Sequence, residues 1–273
     1  MADNSGVEHV KGEESKGATE SAPKPAPRAA SPAPLDMWQR ISILLPLIAV
    51  AISLAVWYRT RSDLEVIRDS QRALFSEMAS LRRNAVIDLA GAPVVGSGDA
   101  VVTLIEFSDY ECPFCIRHFQ QTMPQLSENY IKTGKIRYAF RDFPVDQLHP
   151  EAIRAHEAAH CASEQNKFWD LHAKLFSAPG THTPQALEAR AGEAGLDLNA
   201  YRTCIASGRT TASIRANSAE AIDLGASGTP AFFVGLFDRA TSQVKVTQAI
   251  TGAQPLSVFE KAFTNAQKQA ETK

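Results

Sequence analysis

Apolar side chains are spread unevenly along the 273 residues, and this divides the chain before any motif is read. Residues 1–36 carry almost no large apolar side chain and end in an Ala/Pro/Ser-rich run, "SAPKPAPRAASPAPLD". Such a segment buries too little apolar surface to offset its chain entropy, so a disordered tail is expected. At "MWQRISILLPLIAVAISLAVWYRTR" the pattern inverts, and the 18 residues from Ile41 to Tyr58 carry no charge. As a helix rising ~1.5 Å per residue they reach about 27 Å, enough to cross a bilayer. Trp38 at one end, and Trp57 with Tyr58 at the other, stand where interfacial aromatics belong. Residues 37–60 are therefore expected to be an uncleaved transmembrane anchor that meets lipid through 41–58. A signal peptide and a buried core helix compete with this reading. The long segment ahead of the apolar run and the lack of an A-x-A exit weigh against the first. Apolarity on every face weighs against the second.

Beyond the anchor, "SDLEVIRDSQRALFSEMASLRRNA" has helical spacing. Leu64, Gln71 and Met78 share one heptad position, and Ile67, Leu74 and Leu81 its partner. Residues 61–88 are expected to form a helical stalk. It is either a short coiled coil that would make a homo-oligomer or a single amphipathic helix. "GAPVVGSGDA" then breaks the pattern with Gly and Pro, so a folded domain is expected over 90–273. Val101 to Phe107 is a β-branched apolar run that reads as a buried strand, and helical spacing follows it. A helical stretch covers about 149–225. "SGTPAFFVG" then reads as a turn entering a second buried strand. Strands alternating with helices predict an α/β fold.

A formal net charge of −2, and no basic stripe interleaved with aromatics, give no electrostatic case for nucleic acid. Basic residues flank both ends of the apolar run, Lys24, Arg28 and Arg40 before it and Arg59, Arg61, Arg68 and Arg72 after it. Their distribution does not orient the anchor. The four cysteines change the picture most. Cys112-Pro113-Phe114-Cys115 lies between the predicted strand and a helix, the context in which C-x-x-C implies redox chemistry. Cys112 would sit at the helix N-terminus, where unpaired N–H groups and the macrodipole favour a thiolate. Cys115, one turn on, would be buried and close enough to bond to it. A zinc ribbon needs a second close pair, whereas Cys161 and Cys204 are 43 positions apart.

On "TLIEFSDYECPFC", "RYAFRDFP", "CASEQNKFWDLHAKLF" and "GASGTPAFFVG" the sequence from about Gly98 to Phe263 resembles the DsbA-like branch of the thioredoxin superfamily, the bacterial thiol-disulfide oxidoreductases. Its active site is closer to the D-Y-x-C-P-[FY]-C members than to those with C-P-H-C. The resemblance implies a thioredoxin fold with an inserted helical domain. It also implies Cys112 as the exposed nucleophile, Cys115 as the buried resolving cysteine, and Glu106 as a buried acid that handles protons. Thr229-Pro230 would form a cis-proline loop beside the disulfide. Phe114 departs from the C-P-H-C enzymes, and a phenyl ring cannot stabilise a thiolate as an imidazole can, so a weaker oxidant is expected.

"HEAAH", residues 156–160, also spells the zinc-protease pattern H-E-x-x-H, with Glu188 or Glu193 as conceivable third ligands. The family pattern accounts for this helix without metal, so no metal is expected and His156 and His160 should face solvent on an Ala-rich helix. Two helix thiols in an oxidising compartment favour a structural disulfide between Cys161 and Cys204. That in turn places the domain outside the cytoplasm, with the N-terminus inside. The sequence is thus read as a disulfide oxidoreductase of a bacterial inner membrane, with its catalytic domain periplasmic. Its expected partners are exported cysteine-containing polypeptides and a membrane redox protein, and no cofactor is expected. The rival readings are an isomerase or reductase kept reduced by a membrane partner, and a non-enzymatic tethered peptide-binding module.

Overall fold

A computed structural model of the chain describes residues 36–83, 85–178, 180 and 182–272. The tail expected over 1–36 lies, but for Asp36, outside these. One long helix, α1 (Met37–Arg83), includes Pro46 and covers both the expected anchor and most of the expected stalk. By length and composition its Leu44–Arg72 portion is long and apolar enough to cross a membrane, and that portion is not buried within the structure. The chain divides into two compact units between Glu65 and Val66. The stalk's expected seam is described only in part, because the side chains of residues 73–83 lie outside the description.

The stalk's expected end at residue 88 needs correction. Val86–Asp88 is a strand, β1, and its residue pairs run from Val86 with Lys245 to Asp88 with Gln243. Ile87 is buried between two exposed neighbours, so a three-residue alternation takes over from the heptad pattern. The sheet therefore begins before the Gly/Pro break that was read as its boundary.

The remaining strands are β2 (Val94–Gly96), β3 (Val102–Ser108), β4 (Ile136–Asp142), β5 (Ala231–Asp238) and β6 (Gln243–Thr251). They form one six-stranded mixed sheet in the order β1-β6-β5-β3-β4-β2. β3 is central and all seven of its residues are buried. It runs parallel to β4 and antiparallel to β5, so Glu106 stands between Phe140 and Phe232. Burial on both faces explains why this strand reads as a continuous apolar run without alternation. Gly96 has φ of +101°, and a Cβ there would lie 2.5 Å from the Ile136 carbonyl, so β2 can approach β4 only with glycine.

One sheet face carries Leu104, Tyr138, Phe232 and Val234 against Phe259 and Phe263 of the C-terminal helix α9 (Leu256–Glu271). Phe107, Phe233 and Val244 form part of a second core with Ile87. The helix that Cys112 caps is α2 (Pro113–Gln121), followed by α3 (Met123–Leu126) and a π-turn at Ser127–Ile131. Between β4 and β5 come five helices: α4 (Ala152–Ser163), α5 (Phe168–Ser177), α6 (Pro184–Glu193), α7 (Leu198–Ser207) and α8 (Thr211–Asp223). Asp197 caps α7 by accepting from the backbone of Asn199 and Ala200, and Thr183 caps α6 through Ala186.

A disulfide, Cys161–Cys204, joins α4 to α7 with a Cα–Cα distance of 5.7 Å. Both cysteines lie in a core with Tyr110, Leu171, Phe176 and Tyr201. Closing a loop of 43 residues restricts the unfolded chain, so replacing both cysteines with alanine should cost about 2–4 kcal/mol of stability. Chemical denaturation of the domain in oxidising buffer, compared with the parent, measures this directly. An unchanged midpoint and slope would rule out a stabilising bridge.

Candidate active site

The site lies where β3 ends. After Ser108 the chain turns through Asp109, whose side chain ties the turn together. One carboxylate oxygen accepts from the Glu111 backbone at 2.8 Å. The other accepts from Val145 at 2.7 Å and lies 2.9 Å from Nδ1 of His149. Cys112 is then the N-cap of α2, and Pro113 takes the first helical position, where a missing N–H costs nothing. The Cys112 side chain offers no cap hydrogen bond, so the sulfur is left at the end of the helix among its unpaired N–H groups.

Cys112 and Cys115 are both unbonded thiols, with Cys112 5% exposed and Cys115 fully buried. The Cys112 pKa is lowered to about 6. A hydrogen bond from the Cys115 thiol is the largest cause, and Thr229 and the backbone N–H groups of Cys115 and Phe114 add to it against the cost of burial. Burial pushes the Cys115 thiol well up, and the charges of Cys112 and Glu106 push it further. The two sulfurs thus differ in the way a nucleophile and a resolving thiol must. Across the site the Thr229-Pro230 peptide bond is cis, Pro230 is buried, and the Thr229 carbonyl accepts from Cys112 Sγ at 3.4 Å. Phe114 is 54% exposed, and the Arg117 guanidinium lies 5.1 Å from its ring centre. Beneath the pair, Glu106 is 3% exposed and accepts from the Tyr138 hydroxyl at 2.7 Å.

A model of a thioredoxin family matches residues 89–251. The chain belongs to that thioredoxin family. Among solved structures, this thioredoxin-family chain is similar to a thioredoxin-like oxidoreductase from Silicibacter pomeroyi, at 28% identity and a TM-score of 0.54. That match covers 65% of this chain and 92% of the other. BdbD from Bacillus subtilis, at 20% identity and a TM-score of 0.58, shares the fold over 68% of this chain and all of its own. So does alpha-DsbA1 from Wolbachia pipientis, at 23% identity and 0.57, over 68% of this chain and 96% of that one. The fold is thus the DsbA-type thioredoxin fold.

Curated relatives include Na(+)/H(+) antiporter NhaA 3 from Salinispora tropica, 31% identical over 196 residues. That stretch is 71% of this chain but only 29% of the antiporter. Disulfide bond formation protein D from Bacillus subtilis is 34% identical over 94 residues, 32% of this chain and 40% of that protein. The chain therefore spans under a third of the length of the antiporter and under half that of the Bacillus protein.

The expectation that His156 and His160 face solvent is wrong for His156 and holds only in part for His160, whose side chain is 24% exposed. His156 is fully buried and its Nδ1 lies 2.7 Å from one oxygen of Asp142, the last residue of β4. His160 Nε2 lies 2.7 Å from the other oxygen. The Asn217 amide donates to the same carboxylate at 2.5 Å. The helical i, i+4 spacing that suggested a metal instead clamps a buried acid, because β4 ends directly beneath that face of α4. Glu188 pairs with Arg202 and Glu193 with Lys174. Among the described residues no group of three or more His, Cys, Asp or Glu is placed to hold a metal ion.

Sequence reasoning also missed His118 and Tyr138, which flank Glu106, and the buried pair of Tyr110 with His172 Nδ1 at 3.0 Å. His118 follows Cys115 by three residues, so one face of α2 already carried the signal.

Two outcomes follow from these geometries. Burial alone would raise the Asp142 pKa, but the hydrogen bonds from His156 and His160 outweigh it and hold the carboxyl well below its usual range. Burial likewise lowers His160, and its bond to Asp142 outweighs that and raises it. A raised folded-state pKa stabilises fully below the free imidazole value of about 6.5 and fades as pH rises through the folded value. His160→Gln should therefore lose more stability at about pH 5.5 than at about pH 8.5, by roughly 1 kcal/mol, in paired denaturation curves. Equal losses at both pH values would rule out the charged pair. At the rim, Phe114→His should lower the Cys112 pKa below about 6, read from thiolate absorbance against pH. It should also raise the reduction potential, because the imidazole stabilises only the reduced form. An unchanged titration would show that the ring does not reach the sulfur.

Proposed function

We propose that this protein is a membrane-anchored thiol-disulfide oxidoreductase that introduces disulfides into exported proteins through Cys112 and Cys115. The observation that carries the reading is the asymmetry of the pair. One sulfur, with a pKa lowered to about 6, stands at a helix N-terminus against the Thr229 carbonyl, while the other is fully buried and its pKa is raised. That combination makes the disulfide form electrophilic at Cys112 and makes Cys112 a good leaving group.

Starting from the Cys112–Cys115 disulfide, a substrate thiolate bonds to Cys112 Sγ and the bond to Cys115 breaks. Cys115 leaves as a thiolate and takes a proton from the groups beneath it, Glu106 being the acid on that side. A second substrate thiolate then bonds to the substrate sulfur of the mixed disulfide, and Cys112 leaves as a thiolate. The substrate loses two electrons and the enzyme pair gains them. A membrane redox partner must accept them to restore the disulfide. Exposed Phe114 and the Thr229-Pro230 loop flank Cys112, one giving an apolar surface and the other backbone groups for an extended peptide.

The apolar stretch 41–58 supports a single membrane span, and Cys161–Cys204 supports an oxidising compartment for the domain. A cytoplasmic N-terminus and a periplasmic or otherwise extracytoplasmic domain satisfy both. The DsbA-type fold shared with BdbD and alpha-DsbA1 supports the same chemistry.

The test is made in cells by acid quench and thiol labelling. The wild-type pair should be found mainly as a disulfide. Cys115→Ala should accumulate mixed disulfides through Cys112 with newly exported, cysteine-bearing proteins, because the resolving thiol is gone. A pair held mainly as dithiol would replace the oxidase with an isomerase or reductase. A trap that stays empty in spite of good expression would favour a tethered binding module.

A further inference from the structure

His118 has no part in the exchange steps described above, yet its setting calls for one. It lies on the same face of α2 as Cys115, one turn further in, and is 1% exposed. Its ring is packed between Phe232 of β5, 4.6 Å between ring centres, and Phe259 of α9, at 5.5 Å. A phenyl ring would fill such a hole without polar cost. Among the described residues neither imidazole nitrogen has a hydrogen-bond partner, so the ring is buried at a penalty that packing alone does not explain. One polar group stands in front of it. Nε2 is 3.5 Å from Glu106 Oε2, the same oxygen that accepts from Tyr138.

The groups facing this centre come from three elements: Glu106 from β3, Tyr138 from β4, and Cys115 from α2 itself. β5 and α9 present aromatic rings. Burial lowers the His118 pKa, with Glu106 opposing, which keeps the ring in the neutral form that has one N–H and one bare nitrogen.

Resting on the oxidoreductase reading, we infer that His118 is a positioning residue for Glu106: its Nε2–H faces the Glu106 carboxylate and holds it in place, so that Glu106 can take the Cys115 proton when the pair closes. In that step Cys115 loses its proton to Glu106 and its sulfur bonds to Cys112. The bond from Cys112 to the outside sulfur breaks, and the outside group leaves as a thiolate. A contact of 3.5 Å is longer than a hydrogen bond, and a small rotation of a ring with no competing partner closes it as Cys115 gives up its proton. Without the N–H, the carboxylate loses the contact that holds it beneath Cys115 and accepts that proton more slowly.

The experiment uses the full-length reduced protein in detergent, mixed with excess dithiobis-nitrobenzoate in stopped flow. The first thionitrobenzoate released reports attack by Cys112, and the second reports closure by Cys115. His118→Phe suits the packing and should fold. Its second phase should be roughly tenfold slower at neutral pH, with the rate of the first phase unchanged. His118→Gln, which returns an N–H donor, should recover part of the loss. A His118→Phe second phase that superimposes on wild type, or a Gln variant slower than the Phe variant, would overturn the inference and leave a packing role. A wild-type protein that releases no second equivalent would instead sink the oxidoreductase reading itself, and the role of His118 with it.

Discussion

The approach of the Cys115 thiol to Cys112 across one turn of Cys112-Pro113-Phe114-Cys115 is the interaction on which the rest of the site depends. It is the largest contribution holding the Cys112 pKa near 6, and it exists only because α2 begins at Cys112 and carries Cys115 inward by one turn. Pro113 starts the helix without an orphaned N–H, and β3 fixes its origin. β3 in turn is held on both edges, parallel to β4 and antiparallel to β5, and is covered on both faces. The strength of a single thiolate therefore draws on the whole sheet.

The same strand carries the buried acid of the site. Glu106 is buried on β3 between Phe140 and Phe232, and its charge adds to the burial that raises the Cys115 pKa. Burying a carboxylate is expensive unless its lone pairs are met, and the Tyr138 hydroxyl meets one. Packing the acid below the sulfurs couples the two: protonation of one changes the cost of charge on the other. A peptide reaching the site from solvent meets Cys112, Phe114 and the Thr229 carbonyl.

The helical insert is tied down by two different devices. Cys161–Cys204 links α4 to α7 covalently, while Asp142 links α4 to the end of β4 through His156 and His160, and to α8 through Asn217. A carboxylate with three donors satisfies its lone pairs, which is the condition under which a fully buried acid is tolerated. The insert is thereby anchored to the strand next to the catalytic one. Tyr110, in the turn before Cys112, packs into the same core and reaches His172 of α5. Sheet, active-site turn and insert thus share one polar and aromatic interior.

What the sequence determined by itself was local. A continuous apolar run marked β3, because a strand covered on both faces needs no alternation. C-P-F-C at a strand-to-helix junction marked the redox pair, because spacing along a helix fixes how far apart two sulfurs stand. Gly-Thr-Pro before Ala-Phe-Phe-Val marked the loop opposite. Residues 86–88 were misjudged because three residues carry too little period to separate strand from helix, and only the partner strand β6 decides between them. His156 was placed on the right helix and the wrong face, and the bond of His160 to Asp142 was missed, since nothing local says that the end of β4 lies beneath them. The partnership of Glu106 with Tyr138 and the approach of His118 were likewise decided by tertiary structure alone. Those residues lie on three different elements, and a side chain's partner across a sheet is set by register and packing, which no single segment encodes.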